Sequence, residues 1–174
     1  MTIALNQGIL KCISTGSVRK ILRSKFEDQN SSPAALHRSS YSGNGDAVTE
    51  WRECCQILHE SVECLVIDAM NRGVSLVFEG DHIVPSNNLL DKWRANGGEA
   101  VGCLLVVDDA EAHRDLIFKR GEITKKGSEK QQLAFHRIRE IQQEMITLAQ
   151  ENKWTIVKQQ LGPSPMDILA SKLN

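Results

Sequence analysis

Short apolar runs alternate with helix-period segments along most of this chain, and that alternation constrains the fold more than any other feature. Val74 to Phe78, Val101 to Val107 and Thr155 to Val157 are strand-like runs, and Ile9 to Ile13 is a similar run interrupted by Lys11. Between them lie amphipathic stretches. From Thr49 to Arg72, apolar residues recur at Trp51, Cys54, Cys55, Leu58, Val62, Leu65, Val66, Ala69 and Met70, the stripe of a long helix, with Gly73 placed to end it. Ser17 to Lys25 sets Val18, Ile21 and Leu22 at helical spacing, and Ser86 can cap a helix through Arg94. Asp108 with Glu111 forms a capping-box arrangement opening a helix to about Arg120. A second long helix is expected from Lys130 to Asn152, with Phe135, Ile138, Ile141, Met145 and Leu148 on one face. Residues 30–48, rich in Ser, Gly and Asn, read as a long irregular connection.

Apolar strands separated by helices predict an α/β fold with a parallel sheet covered on both faces. The 174 residues fit one domain, 1–174, around a single core. In such sheets ligands bind beyond the C-terminal ends of the strands. That edge is where Glu79, Gly80, Asp81 and His82 follow one strand, and where Ser14 and Thr15 follow another. A carboxylate there suits phosphate chemistry, holding Mg²⁺ through water or positioning a nucleophile. Equally, Glu79 can cap a nearby turn and His82 can be a packed core histidine. The segment from His113 to Lys130 carries Arg114, Lys119, Arg120, Lys125, Lys126 and Lys130 around two glycines. Such cations suit a lid over phosphates, with residues 121–130 as its mobile part; a solvated helix end is the alternative.

Composition narrows the partners. With 21 Lys and Arg against 22 Asp and Glu, the formal charge of −1 gives no global attraction to nucleic acid or an anionic membrane. No apolar run approaches the roughly 20 residues that span a bilayer, and the N-terminus lacks signal-peptide character, so a cytoplasmic protein is expected. The five cysteines are odd in number, contain no C-x-x-C pair, and read as buried reduced thiols. No Cys/His spacing suits zinc, and no resident metal ligand set is expected. The sequence contains no G-x-S-x-G, H-E-x-x-H or G-x-G-x-x-G, and no G-x-x-x-x-G-K-S/T.

Five segments in order carry a resemblance: ISTGSVRKILR (13–23), LHRSSY (36–41), GVSLVFEGDHIVPS (73–86), HRDLIFKR (113–120) and FHRIREIQ (135–142). Together they resemble the motif set of the 2-phosphoglycerate kinase family, and the plant P-loop proteins of the low-phytic-acid type share the resemblance. It covers most of residues 10–160. The resemblance implies a three-layer P-loop kinase fold and transfer of a phosphoryl group from ATP, with Mg²⁺, to a small phosphorylated metabolite. It makes Glu79 the candidate catalytic acid, Arg19, Arg23 and His82 candidate substrate contacts, and Arg114, Lys119 and Arg120 nucleotide-side cations of the lid.

The chain departs from the family pattern at three places. Gly16 stands where the family has an acid after its Ser-Thr pair, and Asp81 stands in an aliphatic position of E-G-V-H. The family's first, central strand and its phosphate-binding loop are expected before Ile13, where only twelve residues stand. A truncated gene model, a splice form or a degenerate homologue is therefore expected, with neighbouring strand edges unpaired. Kinase activity is expected to be impaired or absent, and the alternative is a non-catalytic phosphometabolite-binding or regulatory module.

Overall fold

The computed structural model describes residues 8–25, Leu36, 43–124 and 129–158, with the side chains of 120, 122–124, 130 and 131 outside that description. The elements run β1 (Lys11–Ser14), α1 (Thr15–Ser24), α2 (Ala47–Asn71), β2 (Leu76–Glu79), α3 (Asn88–Ala95), β3 (Cys103–Val106), α4 (Ala110–Thr124), α5 (Glu129–Leu133), α6 (Phe135–Glu151) and β4 (Thr155–Lys158). Strand and helix alternate as the apolar pattern requires. β1 pairs in parallel with β2, and β3 in parallel with β4.

One expectation is revised. The described strands form two two-stranded parallel sheets, and no ladder among the described residues joins β2 to β3. Cover is also uneven. In β3, Leu104 and Val106 are buried against Ala149, Met145 and Ile146 of α6, whereas Leu105 points to the other face and is 62% exposed. A strand apolar on both faces thus has one of them open.

The long helix α2 is the spine. One part of its stripe, Leu58 and Val62, packs with Val18 of α1 and with Ile13, Phe78 and Leu89. Another part, Ala47, Trp51 and Cys55, packs with Ile141, Met145 and Leu148 of α6. Leu58 is fully buried, and burial of such a side chain stabilises by about 1.5–3 kcal/mol. Asp46 starts α2 by accepting from the Thr49 N–H at 2.7 Å, and Gly73, at φ +61°, follows its end in a conformation costly for other residues. At the start of α2, Arg137 of α6 donates to the Gly45 carbonyl at 2.5 Å and pairs with Glu50; both charged side chains are nearly buried.

Boundaries moved where polar side chains found other partners. Asp109 caps α4, accepting from the Ala112 N–H at 2.7 Å, while Asp108 pairs with Lys158. The expected helix from Lys130 is divided at Ala134 into α5 and α6. α4 continues past Arg120 to Thr124. Of the cysteines, Cys54 and Cys55 are buried, Cys103 is half-buried, and Cys12 and Cys64 are exposed; all five are free thiols.

Candidate functional site

The parallel register of β1 and β2 places Ser14 directly opposite Glu79. The chain then leaves β1 straight into α1. Ser14 caps that helix, its Oγ accepting from the Gly16 N–H at 3.2 Å, so the first turn of α1 stands at the same edge as the exposed carboxylate of Glu79. Thr15 is fully buried there, and its hydroxyl has no hydrogen-bond partner. Gly80 makes the close approach possible. At φ +139°, a Cβ on Gly80 would lie 1.9 Å from Thr15 Oγ1, so no larger residue fits without a shift.

Asp81 and His82 complete the turn. Trp51 Nε1 donates to the Asp81 carbonyl at 2.6 Å, fixing the turn to α2. His82 is 6% exposed, and Asp81 Oδ1 lies 2.7 Å from its Nδ1. That contact is an ion pair out of line with the ring, and neither ring nitrogen has an aligned hydrogen bond. Burial pulls the imidazole pKa down, but the Asp81 carboxylate and then the Cys54 thiol outweigh it and push the value up to about 9.

Arg19 and Arg23 lie one turn apart on α1, and the Nε of each donates to the Leu36 carbonyl, at 3.1 and 2.5 Å. Burial, and then the like charge of Arg19, hold Arg23 below the usual arginine range, while Cys54 acts in the opposite sense. Cys54 thus couples electrostatically to both Arg23 and His82.

The remaining candidates belong to α4. Arg114 sits over the Phe135 ring, 4.7 Å from its centroid, and His113 meets the same ring edge-on at 5.5 Å. Burial, and then Arg139, lower the His113 pKa. Lys119 is exposed, and the side chain of Arg120 lies outside the described residues. Of the expected lid, 121–124 continue α4, 129 and 130 open α5, and 125–128 lie outside the described residues. The structure therefore brings Ser14, Thr15, Glu79 and His82 to one edge and sets Arg19 and Arg23 side by side, with Arg114 committed to an aromatic face. The Thr15 hydroxyl, the Trp51 anchor and the nearness of Cys54 to His82 escaped sequence reading. Only the strand register, or a buried stripe read together with a specific turn, reveals them.

A cleft of about 360 Å³ lies elsewhere, lined by Asn87, Arg94, Gly102, Asn152, Trp154 and Thr155. It opens at the starts of β3 and β4, the end of a parallel sheet that ligands rarely use, and Arg94 there already bonds Asp91 and the Ala100 carbonyl. The polar edge of β1 and β2 has the stronger chemical claim. Among the described residues, no group of three or more His, Cys, Asp or Glu is placed to hold a metal ion, and no helix is long and apolar enough to cross a membrane.

The chain is similar to a 2-phosphoglycerate kinase of Methanopyrus kandleri, 26% identical over 176 residues that cover 96% of this chain and 53% of that protein. It is also similar to a 2-phosphoglycerate kinase of Methanocaldococcus jannaschii, 26% identical over 164 residues, 90% of this chain and 52% of that protein. These similarities support a distant kinase-family relationship. The chain spans about half the length of these curated relatives. No protein-family model and no solved structure matches it.

Proposed function

We propose that this chain is the acceptor-side part of a phosphotransferase of the 2-phosphoglycerate kinase type, acting on a small phosphorylated metabolite. The carrying observation is the Ser14–Glu79 register, which sets an exposed carboxylate beside the first turn of a helix at the C-terminal edge of a parallel pair. In this reading Glu79 orients the attacking group of the acceptor. Arg19 and Arg23 receive its phosphate, for which guanidinium groups are suited, and His82 contributes positive charge from behind the turn. Lys119 and Arg120, towards the end of α4, are assigned to the nucleotide side, while Arg114 stays on the Phe135 ring.

The described residues do not by themselves fit Mg-ATP. Arg114 is stacked on Phe135, no set of three metal-binding side chains converges among the described residues, and the sequence lacks G-x-x-x-x-G-K-S/T. ATP would supply the transferred group and Mg²⁺ would neutralise its phosphates, and transfer depends mainly on such positioning and charge stabilisation. Transfer by this chain is therefore expected to be impaired or absent. Among the described residues, the edges of β2 and β3 away from β1 and β4 carry no ladder and would accept a further parallel strand bearing a phosphate-binding loop. A second reading, a non-catalytic phosphometabolite-binding module, is favoured by Gly16 in place of the family acid.

Calorimetric titration with 2-phosphoglycerate and with Mg-ATP tests the proposal, on this chain and on a longer form that adds such a strand and loop. Both forms are expected to bind 2-phosphoglycerate, and only the longer form to bind Mg-ATP tightly. Each charge-assisted phosphate contact is worth about 1.5–3 kcal/mol, so losing several weakens binding by orders of magnitude. Tight Mg-ATP binding by the present chain, abolished by Lys119→Ala, contradicts the division of labour. Failure of both forms to bind 2-phosphoglycerate contradicts the acceptor site.

A further inference from the structure

We propose that the cleft at the starts of β3 and β4 binds a small organic anion with an apolar body, held by Lys153 and Arg94 at the opposite end of the strands from the acceptor edge. The inference does not depend on the kinase reading. It begins with a backbone comparison. α2, α3 and α6 end in the same motif, in which the residue after the cap turns left-handed and two N–H groups bond back to the last turn. Gly73 and Val74 donate to Met70 and Ala69, Gly97 and Gly98 to Arg94 and Trp93, and Lys153 and Trp154 to Gln150 and Ala149. The left-handed residue is glycine at φ +61° and +84° in the first two, but lysine at φ +57° in the third. Glycine adopts that conformation freely, whereas a Cβ is crowded there by the following carbonyl. Among the described residues, Lys153 is the one non-glycine at positive φ. Strain of this kind collects at binding and catalytic sites, and Lys153 lines the cleft.

The cleft, about 360 Å³, has the volume of a small-molecule site, and its walls are tied together. A Cβ on Gly102 would lie 2.4 Å from two atoms of the Trp154 indole, so the ring lies close against the backbone that opens β3. Trp154 Nε1 donates to the Ser86 carbonyl at 3.3 Å, and Asn87 Nδ2 to the Asn152 carbonyl at 3.0 Å. These contacts join the start of α3, the approach to β3 and the end of α6 around one space.

Charge selects the ligand. Of the lining residues, Arg94 and Lys153 are cationic and none is acidic. Arg94 is fixed by donating to the Asp91 carboxylate at 2.9 Å and the Ala100 carbonyl at 2.7 Å, and its remaining N–H donors are left for a ligand. Asp91 already offsets part of that charge, so Lys153, which has no ion pair among the described residues, supplies the surplus. Leu90, Val101 and Trp154 line the same space with apolar surface. Cations beside an apolar wall fit a carboxylate or phosphate carried on an apolar body. 2-Phosphoglycerate lacks such a body, which separates this cleft from the acceptor edge.

The test titrates the isotopically labelled chain with benzoate, phenyl phosphate and the neutral benzamide, following amide chemical shifts. The anions are expected to bind with a Kd of about 1 mM or tighter, moving Gly102 and Asn152 to Thr155, and benzamide to bind about tenfold more weakly or worse. Lys153→Gly is expected to weaken the anions by about tenfold or more while the thermal midpoint holds or rises, because glycine relieves the cap. Arg94→Gln, checked for folding by circular dichroism, is expected to weaken them as well. Binding of either anion in this pattern supports the proposal, and the tighter of the two assigns the head group as carboxylate or phosphate. The proposal is overturned if neither anion moves these amides, if benzamide binds as well as they do, or if Lys153→Gly binds them undiminished. A lowered thermal midpoint in Lys153→Gly would also overturn it, since the lysine would then be serving the cap.

Discussion

The two strand pairs are alike in length and direction but opposite in how their C-terminal ends are finished. Beyond β3, α6 supplies partners. Gln142 exchanges hydrogen bonds with the Val107 backbone at 3.3 and 3.1 Å, Arg139 donates to the Val107 and Asp108 carbonyls at 2.6 and 2.9 Å, and Lys158 pairs with Asp108 at 2.7 Å. Beyond β2, two buried groups lack aligned partners, the Thr15 hydroxyl and the His82 ring, and Glu79 at the end of the strand is exposed. An unpaired buried polar group costs about 1–3 kcal/mol. The contrast between a satisfied edge and one short of partners is what the proposed acceptor site at the β1–β2 edge rests on.

The halves are joined through α2 and α6, which gives the largest expected effect. Arg137→Ala removes the charged partner that Arg137 gives a nearly buried Glu50 and is expected to cost about 3 kcal/mol in urea unfolding, in one transition that includes both strand pairs. Two separate transitions would break the comparison by making the halves independent units.

Next comes the pH dependence of the β1–β2 edge. The folded-state pKa of His82 is raised to about 9, above the unfolded value near 6.5, so its contribution is fully present below about pH 6.5 and is lost as pH rises through about 9. The change is expected to be on the order of 3 kcal/mol, and Asp81→Asn should flatten it. Equal flattening by Lys158→Ala would assign the effect to the wrong edge.

Gly80→Ala is expected to cost about 2 kcal/mol from strain at positive φ together with the clash on Thr15. Gly97→Ala, at φ +84° with nothing within 4 Å of a new Cβ, should cost less. Equal losses would mean that the tight closure of β1 on β2 has no energetic weight. Gly16→Asp is the smallest change. A Cβ there meets only Ser14 Oγ, at an ordinary 3.4 Å, so stability should move by no more than about 0.5 kcal/mol while the family carboxylate is restored to the edge.

The alternation of strands and helices was legible because burial imposes periodicity on the sequence: α2 carries its stripe openly, and Gly73 marks its end. The position of Glu79 and Ser14 at strand ends was legible for the same reason, although their direct opposition is a matter of register that no single segment encodes. Local polar competition hid the rest. Asp108 and Asp109 are equivalent as caps in sequence, and Lys158, fifty residues away, takes the first and leaves the second to α4. Arg114 reads as a lid cation from charge pattern, but Phe135, reached through a change of helix at Ala134, offers it an aromatic face. His82 reads as either a packed residue or a ligand contact, and in the structure its burial comes with a charge kept by Asp81.

The central claim is that the β1–β2 edge is the functional one. Amide chemical-shift mapping of the isotopically labelled chain during titration with 2-phosphoglycerate tests it most directly. The account predicts shifts concentrated at Ser14 to Gly16, Arg19, Arg23 and Glu79 to His82, with Val107 to Asp109 unmoved. Shifts confined to Val107 to Asp109, or to the cleft around Arg94 and Trp154, would contradict it.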